Sequence, residues 1–469
     1  MLSACLLASA AGADSAAVAG KQARRSAVRS HLQQHYKVYG FVRNYFAYDS
    51  RECVDGTGDL YMYMPKDEAW NQPVSATGVY DVPREDLNAQ NTFRFLSLTT
   101  RVGLDITGYR WRGTEFGGKI EADFYAGLSK VTGQNHALTG VAQLRLRQAY
   151  MTLAWDSLPM GREQARVQLL MGQAWHPMAA DLCDAIALNS GAPFGPFSRT
   201  PQVKMDARLG HWVTLTGAAL WQMQFTSAGP DGASAEYIAY SMTPEAYVGL
   251  SVHHKGLLLR AGADVLSISP RHLGEVTDAA GQKVQVHVND RITTASPFLY
   301  LQYKTGGFSL KAKTIFAEAG EHMNLNGGYG VRAVNADGSW EYTPTRNSST
   351  WVSLVYGGEL GNKSRLQGIL FGGYVRNFGT RDPLVDANND GKPDLYFSKN
   401  SFDSMNRMWR LSPTLLWTVG KFQLGCEYEV TSVQYGDKSL ARNASNALYE
   451  NGLHWVTNHR VQLMTKYNF

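Results

Sequence analysis

Lys119, Glu121 and Asp123, then Arg145 and Arg147, then Lys204 and Arg208, with Arg101 and Asp105 before them, stand two or four positions apart with mostly apolar residues between. On an extended chain that spacing puts the charges on one face, because successive side chains point to opposite sides. Fixed charges of both signs repeated on one face of several strands can attract, orient and sort ions. They do not by themselves make or break bonds. Chemistry would need a nucleophile with its base, or a ligand set. No Gly-x-Ser-x-Gly, His-Glu-x-x-His or glycine-rich phosphate loop occurs. His176, His211, His253, His254 and His459 stand without a serine or carboxylate at suggestive spacing, so no enzyme is expected.

Between Trp175 and Arg199 lies a segment that cannot extend a strand: it holds Pro177, Pro193 and Pro196 and a Gly, Pro and Phe run from Gly191 to Phe197. It also carries Asp181 and Asp184. Folded inward, these acids would face Arg145 and Arg147 and set up a transverse field at a constriction; an outward surface loop is the alternative. Farther on, Asp386, Asn388, Asp390 and Asp394 follow the oxygen-ligand order of calcium loops, with Gly391 at the sharp turn. Phe397 stands where a closing Glu would complete an EF-hand, and a plain polar turn accounts for the same residues. Beyond Ca2+ in this loop, no cofactor is expected.

The elements that could position these charges are strands. From Val461 to Phe469, Val, Leu, Thr, Tyr and Phe alternate with Gln462, Lys466 and Asn468, and Arg460 precedes them. Turning Arg460 or Lys466 to hydrocarbon would cost roughly 2 to 4 kcal/mol at mid-bilayer, so the apolar row faces lipid. The chain contains no 18-residue apolar run that could serve as a membrane helix, and closed barrels are the other structure that satisfies every backbone group in lipid. About sixteen alternating segments lie between residues 36 and 469. Their connectors alternate too: short ones such as Arg112-Gly113, Gly210, Lys255, Gly306-Gly307 and Gly361, then long polar ones at 49–91, 129–140, 175–199, 227–244, 270–291, 320–347, 379–403 and 436–452. That rhythm predicts an all-β, transmembrane, antiparallel up-and-down barrel with short periplasmic turns and long outer loops. Pro297 and Pro413 interrupt predicted strands, 211–226 reads as one strand, and 362–378 has no clean face.

Residues 1–13 read as an export signal lacking its basic front end, and 14–35 as a periplasmic lead-in. Once Cys5 is removed with the signal, Cys53, Cys183 and Cys426 do not make a disulfide framework; Cys53 and Cys183 either pair or stay as thiols. A net charge of +5 over 469 residues is too diffuse for a nucleic-acid binder and tilts a channel toward anions.

Leu144-Arg145-Leu146-Arg147-Gln148-Ala149-Tyr150, Gly172-Gln173-Ala174-Trp175-His176 and Arg199-Thr200-Pro201-Gln202-Val203 resemble the strand, pre-loop and post-loop motifs of DcaP-like trimeric porins and the wider group of sixteen-stranded outer-membrane porins. The resemblance implies a homotrimer in a Gram-negative outer membrane, in contact with bilayer lipid and lipopolysaccharide, and passive diffusion of small anionic or neutral solutes. It also implies an inward third loop opposed by a basic wall at Arg145 and Arg147. Residues 14–35 do not supply the helical extension common in that family. The alternatives are a solute-specific channel, an outer-membrane enzyme and an adhesin.

Overall fold

The computed structural model describes residues 34–56, 61–97, 100–125, 143–160, 163–186, 191–397 and 404–469. The expected export signal at 1–13 and nearly all of the lead-in at 14–35 lie outside these residues, as does the whole of the 129–140 connector.

Sixteen antiparallel wall strands close one barrel. In chain order they are Tyr36–Asp49; an interrupted strand made of Thr92–Leu96 and Arg101–Trp111; Thr114–Tyr125; Gln143–Met160; Glu163–Trp175; Arg199–Leu209; Val213–Leu220; Glu245–His254; Leu257–Ile268; Ile292–Thr305; Phe308–Glu318; Trp340–Gly361; Ser364–Thr380; Met405–Val419; Phe422–Tyr435; and His454–Asn468. Each bonds to the next, and the last returns to the first with Asn468 opposite Phe41 and Arg460 opposite Asp49. Among the described residues no helix is long and apolar enough to cross a membrane.

The seam depends on one glycine. Phe469 N donates to Gly40 O at 3.1 Å, and a Cβ on Gly40 would lie 2.4 Å from the Phe469 ring and 2.3 Å from Arg101 O. At the same end, Arg112-Gly113 and Lys255-Gly256 have positive φ at both positions, the geometry whose twist matches flanking strands in two-residue hairpins.

Outside, the predicted apolar rows are exposed: Val102, Leu215, Leu259, Val265, Phe316, Val461, Leu463, Tyr467 and Phe469 among them. On a ring of strands that bond to one another all the way round, such a surface is a lipid-facing belt. Pro297 and Pro413 also point outward, and Ser412 and Pro413 fall in a gap of the ladder with Phe422–Tyr435.

Two expectations need correction, and one open alternative is decided. Val213–Leu220 is shorter than 211–226, because Gln222 bonds both Ser227 N (2.9 Å) and Ser227 Oγ (2.8 Å) and closes a turn where the ladder would continue. The strand expected from residue 348 starts at Trp340 and pairs beyond the wall with Gly328–Val334. No disulfide joins Cys53 and Cys183: both are buried thiols, and burial pushes the Cys183 thiol up to about 12, leaving it unreactive. Two long connectors hold hairpins, Leu273–Thr277 with Lys283–His287 and Cys53–Gly56 with Tyr61–Pro65. The second folds into the barrel mouth, where Met62 and Tyr63 are wholly buried.

Candidate functional site: a channel beside an inward loop

The segment after Trp175 turns into the lumen, as the inward alternative had it. Its residues bond the wall in sequence. Asp181 Oδ1 accepts from Arg260 at 2.6 Å, Lys313 Nζ donates to Met178 O, and Lys311 Nζ donates to Asp184 at 2.8 Å. Ile186 N donates to Glu427 at 3.0 Å while Ile186 O accepts from Tyr45 Oη at 2.8 Å. On the return, Ala192 O accepts from Arg410 at 3.2 Å, Phe194 O accepts from Ser349, and Phe197 N donates to Met323 O at 2.9 Å. Between these bonds the loop packs Met178, Ile186, Phe194 and Phe197 against inward Tyr300, Trp351, Phe371 and Val375. This is why 362–378 shows no polar face: Ser364–Thr380 meets lipid on one side and the apolar loop on the other.

Asp181 and Asp184 therefore do not face Arg145 and Arg147. Their partners, Arg260, Lys311 and Lys313, belong to the wall that the loop covers, and the expected transverse field is corrected accordingly.

Arg145 and Arg147 are held by acids of their own neighbourhood. Arg145 makes two bonds of 3.0 Å to Asp123; Arg147 reaches Glu121 at 2.9 Å and Asp123 at 2.6 Å; Arg101 lies 3.5 Å from Glu121. The register slips by one residue between Glu121 and Ala122. That bulge turns both Arg147 and Gln148 inward, and Gln148 also donates to Glu121, at 3.2 Å. Glu121, Asp123 and Arg147 are nearly covered, whereas the Arg101 and Arg145 side chains keep 22% and 24% exposure and meet the water. Lys119 bonds Asp105 at 2.8 Å and Tyr39 Oη at 3.0 Å. Arg199, expected on the channel wall, is instead buried at the root of the loop, bonded to Gln224 at 3.0 Å and lying over the Trp175 ring.

Water-filled space remains on the uncovered side. One cavity of about 390 Å³ is lined by Arg166, Gln168, Lys204, Asp206, Arg208, Arg260 and by Pro177 and Ala180 of the loop. A second, of about 320 Å³, is lined by Lys37, Asp105, Glu115, Lys119 and Tyr150 and shares Arg166 and Gln168 with the first. Around the two together stand the cations Lys37, Lys119, Arg166, Lys204, Arg208 and Arg260 against the anions Asp105, Glu115 and Asp206. Lys204 and Asp206 bond at 2.7 Å. Arg166 and Arg208 are register partners, like charges side by side.

No protein-family model and no curated protein matches this chain. Among solved structures, the outer membrane channel DcaP of Acinetobacter baumannii superposes with a TM-score of 0.59 at 18% identity over 92% of this chain and 97% of that one. The fold is that of an outer-membrane porin. The anion-selective porin from Comamonas acidovorans aligns at a TM-score of 0.47 and 9% identity over 92% of this chain and 99% of that one. OmpT, an outer membrane protein of Vibrio cholerae, aligns at 0.46 and 10% over 92% and 97%. The porin fold and the lipid-facing belt together make this a membrane-spanning β-barrel.

Sequence reasoning missed three features. Arg43 lies opposite Lys466 across the seam, its guanidinium 4.9 Å from the Phe41 ring and 5.0 Å from the Tyr45 ring; the alternation Lys37, Tyr39, Phe41, Arg43 would have found it. The inward hairpin at Cys53–Pro65 has no such signal. His176, read as solitary, contacts Glu245 at 2.5 Å, a carboxylate brought from 69 positions away. In the calcium-like segment, Asp386 accepts from Asp390 N and Gly391 N at 3.0 and 2.8 Å. Asp394 accepts from Ala387 N and Asn388 N at 2.7 and 3.0 Å, and Asn388 Nδ2 donates to it as well. These residues bond one another into a compact polar turn.

Proposed function

We propose that this barrel is a porin through which small hydrophilic solutes diffuse passively, with a preference for small anions, and that it assembles as a homotrimer. The observation that carries the reading is the pair of neighbouring cavities, lined by six cations against three anions, or five against three once Arg260 is counted as paired with Asp181. Fixed positive charge beside a narrow water path raises local anion concentration and replaces part of the hydration an anion sheds. Of the other acids, Glu121 and Asp123 hold Arg101, Arg145 and Arg147, Asp184 is bonded to Lys311 on the covered side, and Asp181 neutralises Arg260 alone among the cavity cations. The family resemblance supports the homotrimer.

Recordings in planar bilayers test the proposal. A general porin gives conductance linear in salt and a reversal potential on the anion side under a KCl gradient. Conductance that saturates with one carboxylate solute would make it a solute-specific channel, and absence of conductance in a folded barrel would refute transport.

A further inference from the structure

We infer that His176, Glu245, Asp264 and His322 form a structural binding site for a divalent transition-metal ion of the zinc type. The four side chains come from separate parts of the fold: the root of the inward loop, the first residue of Glu245–His254, the strand Leu257–Ile268, and the turn Gly320–Met323. All are buried, at 0, 0, 1 and 3% exposure respectively. One ligand atom from each of His176, Glu245 and Asp264 lies within 4.8 Å of the others. His322 Nε2 closes the group at 3.3 Å from Asp264 Oδ2 and 3.7 Å from Glu245 Oε1.

Two observations point to a cation among them. Glu245 Oε2 and Asp264 Oδ1 are buried with no hydrogen-bond donor among the described residues, a costly state for a carboxylate unless it is paired or coordinates an ion. In addition, His322 Nδ1 lies 3.2 Å from Ala319 O, which can only accept, so Nδ1 carries a proton and Nε2 is turned to the carboxylates. With Nδ1 protonated, Nε2 meets the two carboxylates favourably only through a second proton or a metal ion, and a metal ion would also serve the two carboxylate oxygens that have no donor. An imidazole whose far nitrogen donates to a backbone carbonyl is the usual support of a metal ligand.

The donor set selects the ion. Two imidazoles and two carboxylates suit zinc, whereas calcium needs six or more oxygens. Bonds of about 2.0 to 2.1 Å in a tetrahedron separate ligands by about 3.3 Å, near the 3.3 Å from His322 Nε2 to Asp264 Oδ2 and the 3.7 Å to Glu245 Oε1, while His176 Nε2 lies 3.6 Å from the other Asp264 oxygen, Oδ1. His176 Nε2 and Glu245 Oε1, at 2.5 Å, share a proton without metal. His176 Nδ1 accepts from Met178 N at 3.2 Å. Loading moves the His176 proton from Nε2 to Nδ1, opens that pair and exchanges the Met178 bond for a metal bond. Four protein ligands leave no open position, so the ion would fasten the loop root to the wall and to the Gly320–Met323 turn.

The test uses the full-length protein in detergent, loaded with zinc chloride, desalted and assayed by mass spectrometry of elements, with cobalt(II) loaded in parallel. Stoichiometric zinc removable by a chelator and the visible spectrum of tetrahedral cobalt are expected, with both lost in Glu245→Gln/His322→Gln. Should that variant fail to fold, anomalous scattering at the zinc edge from wild-type crystals decides, by a peak enclosed by the four side chains. Folded wild-type protein that retains no zinc, or a variant that retains as much, overturns the inference; the first result leaves a metal-free imidazole–carboxylate network.

Discussion

Replacing Arg166 and Arg208 together by Gln should cut the anion-to-cation permeability ratio about tenfold at 0.1 M salt, a figure that follows from Coulomb's law with screening. The two are register partners on the larger cavity. Arg166 is half exposed and pairs with Asp156 at 3.7 Å, so the carboxylate offsets part of its field and the tenfold figure is an upper bound. For an ion about 6 Å from a guanidinium in water, the interaction is about 0.7 kcal/mol, and a Debye length of about 10 Å reduces it to about 0.4. Losing one charge disfavours the anion and favours the cation by that amount each, a swing of about 0.8 kcal/mol per residue and about 1.5 for two, where 1.4 is tenfold. Reversal potentials under a KCl gradient measure the ratio. The effect should shrink at 1 M salt, where the Debye length is about 3 Å. A ratio within twofold of wild type at 0.1 M would refute the reasoning, because it would place these arginines off the conducting path. Arg145→Gln serves as the comparison: it also releases Asp123, still bonded to Arg147.

Asp181→Ala should destabilise the barrel by about 3 to 5 kcal/mol, the cost of leaving a buried charge without its partner, because the Lys313 side chain is fully buried and pairs with Asp181 at 3.6 Å; the shift of the denaturant midpoint reads it. Arg410→Ala removes bonds to Ala192 O, Met62 O and Tyr63 O at once, so both inward segments lose an anchor and single-channel traces should show frequent closures absent from wild type. Gly40→Val should block closure, since its Cβ would overlap both Phe469 and Arg101 O; the variant should show no heat-dependent shift in electrophoretic mobility after refolding, and wild-type-like mobility would contradict the seam geometry.

Strand positions were legible because lipid imposes a strict two-residue period on the outer face, and Val461 to Phe469 displays it without a break. The inner face obeys no single rule. Where it meets water it is charged, as at Lys119 and Arg208; where it meets the inward loop it is apolar, as at Phe371 and Val375, and there the alternation vanished. The candidate charges were found because they lie on the first kind of face. Their partners were not, because ion pairing depends on register: a one-residue bulge at Arg147 and Gln148 decides which acid each base meets, and no local pattern announces it. The contact between His176 and Glu245 is hidden for the same reason.

These two kinds of inner face divide the labour of the lumen. Loop residues 176–186 and 191–198 lie against strands from Leu257–Ile268 to Phe422–Tyr435, and the charges there are spent on holding the loop: Arg260 on Asp181, Lys311 on Asp184, Arg410 on Ala192 O. Across the gap, Arg101, Arg145 and Arg147 share two acids, so their surplus is a single positive charge; Arg208 adds its own, and Arg166 the part that Asp156 at 3.7 Å leaves. Selectivity should therefore respond to substitutions between Arg166 and Arg208 far more than to those beneath the loop, where the same loss of charge would appear as loop motion. A charge scan that found equal shifts in reversal potential from both halves would contradict this division, since it would require ions to pass through the packed interface of Phe194, Trp351 and Phe371.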